Sequence, residues 1–279
     1  MMDNNYFLGI DLGTTNSVIS YINVKEDSKI RANIVEVPRI SDTGSQTCDK
    51  RLPSVVYYKK DRDGSFQPIV GDFAKAQYGK RYGFIIKSVK SSMGQDSVPD
   101  MNVDLPDQRP EDVSARILNQ LVQGAKKKLM LDRIPDDVVI TVPASFDGDQ
   151  CKATLDAAEK AGICAYDSCG KPKHILLYEP KAVLYDIVNS QMNGEIPSSV
   201  LDVSTPKTVL VYDIGGGTLE GIGWFTALYG LAIVFQTVVV IICTRQSMFI
   251  EMKTNRDMKR ACFVHLQTLS FSFYNVTPI

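Results

Sequence analysis

The sequence predicts an α/β fold, and three consecutive features between residues 111 and 162 carry that prediction. Apolar residues recur at helical spacing over residues 111–131. A short, continuously apolar strand follows, and a second helix with its own start and stop signals comes after it.

Taken in order, residues 6–10 form a short apolar run ending in Asp11, and residues 17–22 resume β-branched character beyond the polar turn Leu12-Gly13-Thr14-Thr15, which predicts a β-hairpin. Residues 53–58 predict another strand, and residues 59–65 a charged turn before Pro68-Ile69-Val70-Gly71. Residues 91–110, rich in Pro, Asp and Ser without periodicity, predict a long surface loop. The first predicted helix carries Val113, Ile117, Leu118, Leu121, Val122, Ala125 and Leu129 on one face, with acidic residues in its first turn. The run Lys126-Lys127-Lys128 at its end suits the negative pole of the helix dipole. Residues 138–142 (Val-Val-Ile-Thr-Val) predict a strand buried on both faces. Asp147, with Gln150 three residues on, predicts a capping box, and Gly162 a left-handed stop. Residues 175–177, a helix over residues 180–190 and a strand over residues 208–212 continue the alternation.

The 279 residues are 44% hydrophobic and 23% charged, which suits a globular chain with a proper core. A net charge of -1 gives no electrostatic footprint for a nucleic-acid backbone. Six cysteines without a Cys-x-x-Cys pair and only two histidines argue against a zinc site. The N-terminus has no secretory pattern, so the first 220 residues read as cytoplasmic, with reduced thiols.

Two segments share one grammar: Ile10-Asp11-Leu12-Gly13-Thr14-Thr15 and Tyr212-Asp213-Ile214-Gly215-Gly216-Gly217-Thr218. In each, an apolar strand delivers an aspartate to a glycine turn that contains threonine. Such a turn suits a phosphate chain: glycine lets backbone N–H groups approach the oxygens, threonine adds a hydroxyl, and the aspartate can hold magnesium through water. Neither segment is a Walker loop or a dinucleotide fingerprint.

These residues resemble the actin-like ATPases and, within them, the heat-shock-70 (DnaK-type) chaperones. Gly9-Ile10-Asp11-Leu12-Gly13-Thr14-Thr15-Asn16-Ser17 resembles the family's first phosphate loop, and Ile140-Thr141-Val142-Pro143-Ala144-Ser145-Phe146 its strand-to-hinge segment. Glu179-Pro180 and the second glycine turn complete the order, over residues 6 to about 220. The resemblance implies an actin-like (ribonuclease-H-like) nucleotide-binding fold that uses ATP or ADP with Mg2+. It implies that Asp11 and Asp213 position magnesium through water, and that Gly13, Thr14, Thr15, Gly215, Gly216, Gly217 and Thr218 cradle the phosphates. Lys87 is similar to the lysine that approaches the γ-phosphate, Glu179 to the carboxylate that orders a magnesium-bound water or acts as a base, and Pro143 to the hinge proline. The implied activity is ATP hydrolysis driving protein folding. The implied partners are a J-domain cochaperone and a nucleotide-exchange factor, with unfolded clients if a substrate domain exists elsewhere.

The chain departs from the family pattern at Cys151 (family arginine), Tyr178 (asparagine), Lys181 (threonine) and Glu220 (aspartate). The resemblance stops after Gly221, which implies an incomplete second lobe without the adenine clamp. Residues 1–221 are expected to be a partial nucleotide-binding domain, and residues 222–279 an unrelated tail, read as misjoined sequence, a membrane anchor or a buried core helix. Residues 222–243 carry no charge and at helical rise could span about 30 Å of hydrocarbon. The positive residues beyond them would place the phosphate loops outside, against a cytoplasmic location. The rival readings are a sugar-type small-molecule kinase on the same fold and a non-enzymatic, membrane-tethered lobe.

Overall fold

The computed structural model describes residues 6–24, 31–41, 43–80, 83–98, 105–197, 199 and 209–211, and beyond them positions 233, 235–237, 240, 245, 253 and 256. The chain divides into two compact units, Met1–Thr218 and Leu219–Ile279.

The first unit is mixed α/β. It begins with strands β1 (Tyr6–Asp11), β2 (Asn16–Asn23), β3 (Asn33–Ile34), β4 (Val37–Ile40), β5 (Gln46–Asp49), β6 (Leu52–Pro53), β7 (Val55–Lys60) and β8 (Phe66–Val70). Helix α1 (Asp72–Ala76), strand β9 (Phe84–Lys87), a 3-10 turn (Val89–Ser92) and helix α2 (Pro110–Lys128) follow. Strand β10 (Val138–Val142), helix α3 (Gly148–Lys160), strand β11 (Leu176–Tyr178) and helix α4 (Glu179–Met192) complete the unit. The main sheet runs β11-β10-β1-β2-β3, with β6 also on β2. Strands β1, β10 and β11 are parallel neighbours, so their C-terminal ends share one edge. A second sheet, β8-β7-β9, and the hairpin β4-β5 lie beside it in sequence.

The predicted hairpin is β1-β2, antiparallel from Tyr6↔Asn23 to Asp11↔Val18. Helix α2 starts with proline in its first turn beside Glu111 and Asp112 and ends on the three lysines, as its dipole favours. Val113, Ile117, Leu118, Leu121 and Val122 on α2 are fully buried in one core with Leu8, Ile10, Ile19, Val138 and Ile140. Each such side chain contributes about 1.5–3 kcal/mol, which outweighs the cost of about 1 kcal/mol for a glycine in mid-helix. Gly124 is there for space, because a Cβ would come within 2.7 Å of Val37 Cγ1 on β4. Helix α3 carries the predicted capping box in full: Asp147 accepts from Gln150 N at 2.9 Å and Asp147 N donates to the Gln150 side chain at 3.0 Å. Gly162 follows at φ +87°.

Four expectations need correction. Strand β10 is buried on one face only: Val138, Ile140 and Val142 are buried, but Val139 is 38% exposed and Phe7 on β1 is 45% exposed. The helices of the core cover the other face, so an all-apolar strand here has alternating burial. Residues 91–110 are not simply a surface loop, since Met93, Val98, Leu105 and Asp107 are buried. Val98 N donates to Gln108 O at 3.0 Å and Pro110 opens α2, so the segment folds back onto the core without periodicity. Residues 53–58 are two strands, broken at Ser54. Of the strand expected over residues 208–212, residues 209–211 are described, and they have no strand partner among the described residues.

In the second unit, positions 233, 235–237 and 240 are helical, and Thr237 Oγ1 donates to Ile233 O at 2.8 Å. Among the described residues, no helix is long and apolar enough to cross a membrane. Most of residues 222–243 lies outside the described residues.

Candidate functional site

The parallel strands β1, β10 and β11 carry Asp11, Thr141 and, directly after β11, Glu179 to the same end of the sheet, the place where α/β sheets bind ligands. Asp11 ends β1 and pairs in register with Thr141 of β10. Thr141 Oγ1 donates to Asp11 Oδ1 at 3.0 Å, which fixes the carboxylate's rotamer at the edge. Thr141 pairs in turn with Leu177 of β11, two residues before Glu179. Glu179 is the first residue of α4, where the helix dipole favours a carboxylate.

Past Asp11, the turn closes tightly at Gly13, where a Cβ would sit 2.1 Å from Asn16 O. No other residue fits without moving the backbone. Thr14 and Thr15 are half-buried beside it. Pro143 follows β10 directly and its carbonyl accepts from Phe146 N at 3.1 Å, forming the turn that leads into α3.

The two lysines after β9 have different neighbours. Lys87 ends the strand, pairs in register with Val55, and its Nζ lies 5.1 Å from the centroid of the Tyr78 ring. Ser88 then takes φ +54°, a left-handed conformation that serine rarely adopts, and turns the chain into the 3-10 turn. Lys90 in that turn is 7% exposed and its Nζ donates to Glu179 Oε1 at 2.6 Å. A lysine–glutamate pair thus stands at this edge, and its lysine is Lys90, three residues beyond Lys87. Lys90 and Thr141 join this edge through Glu179 and Asp11 as candidate residues that the sequence did not point to. Thr141 lay inside a recognised motif, whereas nothing in the sequence marks Ser88 as left-handed.

A cavity of about 260 Å3 adjoins this edge, lined by Val142, Cys151, Leu155, Pro172, Lys173, His174, Leu176 and Tyr178. Burial, with Asp147 nearby, pushes the Cys151 thiol up from its ordinary value, so it is a poor nucleophile. Cys48, Cys151, Cys164 and Cys169 carry free thiols. Among the described residues no three His, Cys, Asp or Glu side chains converge as a metal cage. Asp213, Gly215, Gly216, Gly217 and Thr218 lie outside the described residues.

Residues 99–221 match the family described as Hsp70 protein. The chain is 34% identical over 219 residues to the chaperone protein DnaK of Mesomycoplasma hyopneumoniae strain 232, which covers 78% of this chain and 30% of that relative. It is also 34% identical over 213 residues to the DnaK of Mycoplasmopsis synoviae strain 53 (76% of this chain, 28% of the relative), and over 221 residues to that of Halobacterium salinarum strain ATCC 29341 (78% and 28%). The chain carries a partial nucleotide-binding domain of the Hsp70 family. It spans about 30% of the length of the curated relatives it matches. The Hsp70 family implies an actin-like ATPase fold, and the mixed α/β unit agrees with it. The family's use of nucleotide and magnesium fits this donor set: two carboxylates, a lysine and a glycine turn at one edge.

Proposed function

We propose that this edge binds the phosphates of ATP or ADP with magnesium, as the first-lobe half of an Hsp70-type nucleotide site. The observation that carries the reading is the convergence of Asp11, Thr141, Glu179 and Lys90 from four separate segments onto the C-terminal ends of three adjacent strands. Magnesium, when bound, supplies neutralisation of phosphate charge. Asp11 holds its waters, with Asp213 as the second carboxylate. The turn from Gly13 to Thr15 offers N–H and hydroxyl groups to the phosphates, and the family resemblance gives residues 215–218 the same task. Lys90 brings positive charge to the terminal phosphate, in the role the sequence assigned to Lys87. Glu179, held by Lys90, orients the attacking water or takes its proton. Preorganised charges of this kind act by positioning and electrostatics rather than covalent chemistry.

On the same reading, residues 1–221 form most of the first lobe and the opening strands of an incomplete second lobe, and residues 222–279 are a separate segment. Pro143 relays the nucleotide state through the turn into α3. ATP hydrolysis coupled to protein folding, a J-domain cochaperone, a nucleotide-exchange factor and a cytoplasmic location are proposals carried from the family. The named relatives are chaperones, which favours this reading over a sugar-type kinase or a membrane-tethered lobe.

Calorimetric titration of MgATP into the chain is expected to show saturable binding that Asp11→Ala abolishes while the far-ultraviolet circular dichroism spectrum stays unchanged. Equal binding by wild type and Asp11→Ala would remove Asp11, and with it this site, from the proposal.

A further inference from the structure

The geometry points to Ser54 as a positioning residue that aims the first phosphate turn. This inference rests on the reading of residues 12–15 as a phosphate-binding turn. In a trans peptide the N–H and C=O point in opposite directions, so a backbone amide faces an anion only when the carbonyl of the same peptide faces away. Ser54 collects two such carbonyls. Its hydroxyl donates to Gly13 O at 2.7 Å and its backbone N–H donates to Thr15 O at 2.9 Å. Gly13 O belongs to the peptide that carries Thr14 N–H, and Thr15 O to the one that carries Asn16 N–H, so both amides are directed away from Ser54. Thr14 N–H donates to no backbone carbonyl among the described residues.

The proton count fixes the direction of the network. Ser54 Oγ lies 2.8 Å from Ser17 Oγ, and a hydroxyl has one proton. Gly13 O can only accept, so the Ser54 proton goes there and Ser17 donates to Ser54. Both hydroxyls are buried, at 2% and 0% exposure, and both are satisfied. Ser54 also stands at the break between β6, which pairs with β2, and β7, which pairs with β8 and β9. Strand pairing at this break requires only its backbone. The hydroxyl serves the turn.

The test titrates MgADP into the full chain as wild type, Ser54→Ala, Ser54→Thr and Ser54→Cys, at a temperature where thermal melting shows each to be folded. Ser54→Ala is expected to weaken binding about tenfold, Ser54→Thr to stay within about twofold of wild type, and Ser54→Cys, whose S–H is a weak donor, to fall between them. A purely architectural role predicts lower melting temperatures with unchanged affinity, and that result overturns the inference. Should Ser54→Ala not fold, Ser54→Cys against Ser54→Thr decides the same question: equal affinities overturn it. Absence of MgADP binding by the folded wild type overturns the phosphate reading itself, whereas normal binding by Ser54→Ala overturns the role of Ser54 alone.

Discussion

Lys90→Ala lowers the single-turnover rate of ATP hydrolysis by about 10²–10³-fold, the range for removing one preorganised charge from a transition-state site, while Lys87→Ala changes it less than about twofold. The contrast follows from where each lysine sits. Lys90 is buried, and its Nζ meets Glu179 Oε1 at 2.6 Å at the edge where Asp11 ends β1. Lys87 packs over the Tyr78 ring. Truncating Lys90 also leaves the Glu179 carboxylate, at 23% side-chain exposure, without its cation. Breaking a buried pair costs about 3 kcal/mol or more, so the melting temperature falls as well. Lys90→Met keeps the stem packed and separates the two effects: a rate loss as large as that of Lys90→Ala with a smaller loss of stability marks the charge as the functional element. Rates for Lys90→Ala near wild type, with Lys87→Ala inactive, would return the role to Lys87.

Asp107→Ala is expected to destabilise the first unit by about 2 kcal/mol in urea unfolding, because its Tyr58 partner is buried while the Arg116 side chain is 46% exposed and can turn to water. Asp107 is 5% exposed and accepts three hydrogen bonds: from Tyr58 OH at 2.8 Å, Arg116 Nε at 2.9 Å and Arg116 Nη2 at 3.0 Å. The fork from Arg116 is bidentate, which adds directional specificity to the charge-assisted bonds. This carboxylate pins the stretch before α2 to β7 on one side and to α2 on the other. Truncation strands a fully buried phenol, whose unmade hydrogen bond alone costs about 1–3 kcal/mol. Burial, reinforced by the charge and hydrogen bond of Asp107, raises the Tyr58 phenol well above its ordinary pKa of 10.0. The folded state therefore keeps Tyr58 protonated, and the contribution of the network is present below pH 10 and declines as the pH rises beyond it. Asp107→Asn, which retains an acceptor for one partner, is expected to lose less than Asp107→Ala.

Where local chemistry decides an element, the sequence was readable. Proline and acids at the start of α2, lysines at its end, the Asp147–Gln150 box and Gly162 all act within a few residues of where they stand, and the structure uses each as expected. The hairpin β1-β2 and its Gly13 turn were legible for the same reason. What escaped was set by distant partners. The choice between Lys87 and Lys90 depends on a left-handed Ser88 and on a glutamate 89 positions away. The residues before α2 have no period, yet Met93, Val98, Leu105 and Asp107 fill the core through side chains that only the tertiary fold brings together. Strand β10 shows the converse case: an unbroken apolar run signals a strand but not how many of its faces are covered.

One edge of the sheet, where β1, β10 and β11 end, is proposed to receive the phosphates of a magnesium nucleotide. Amide chemical-shift mapping of the isotopically labelled chain during titration with MgADP tests it most directly. Saturable shifts are expected at Asp11 to Thr15, at Thr141 and at Lys90 and Glu179, with the same affinity at each position. Shifts confined to the cavity around Val142, Cys151 and His174, or no shifts in a chain that gives a folded spectrum, would contradict it.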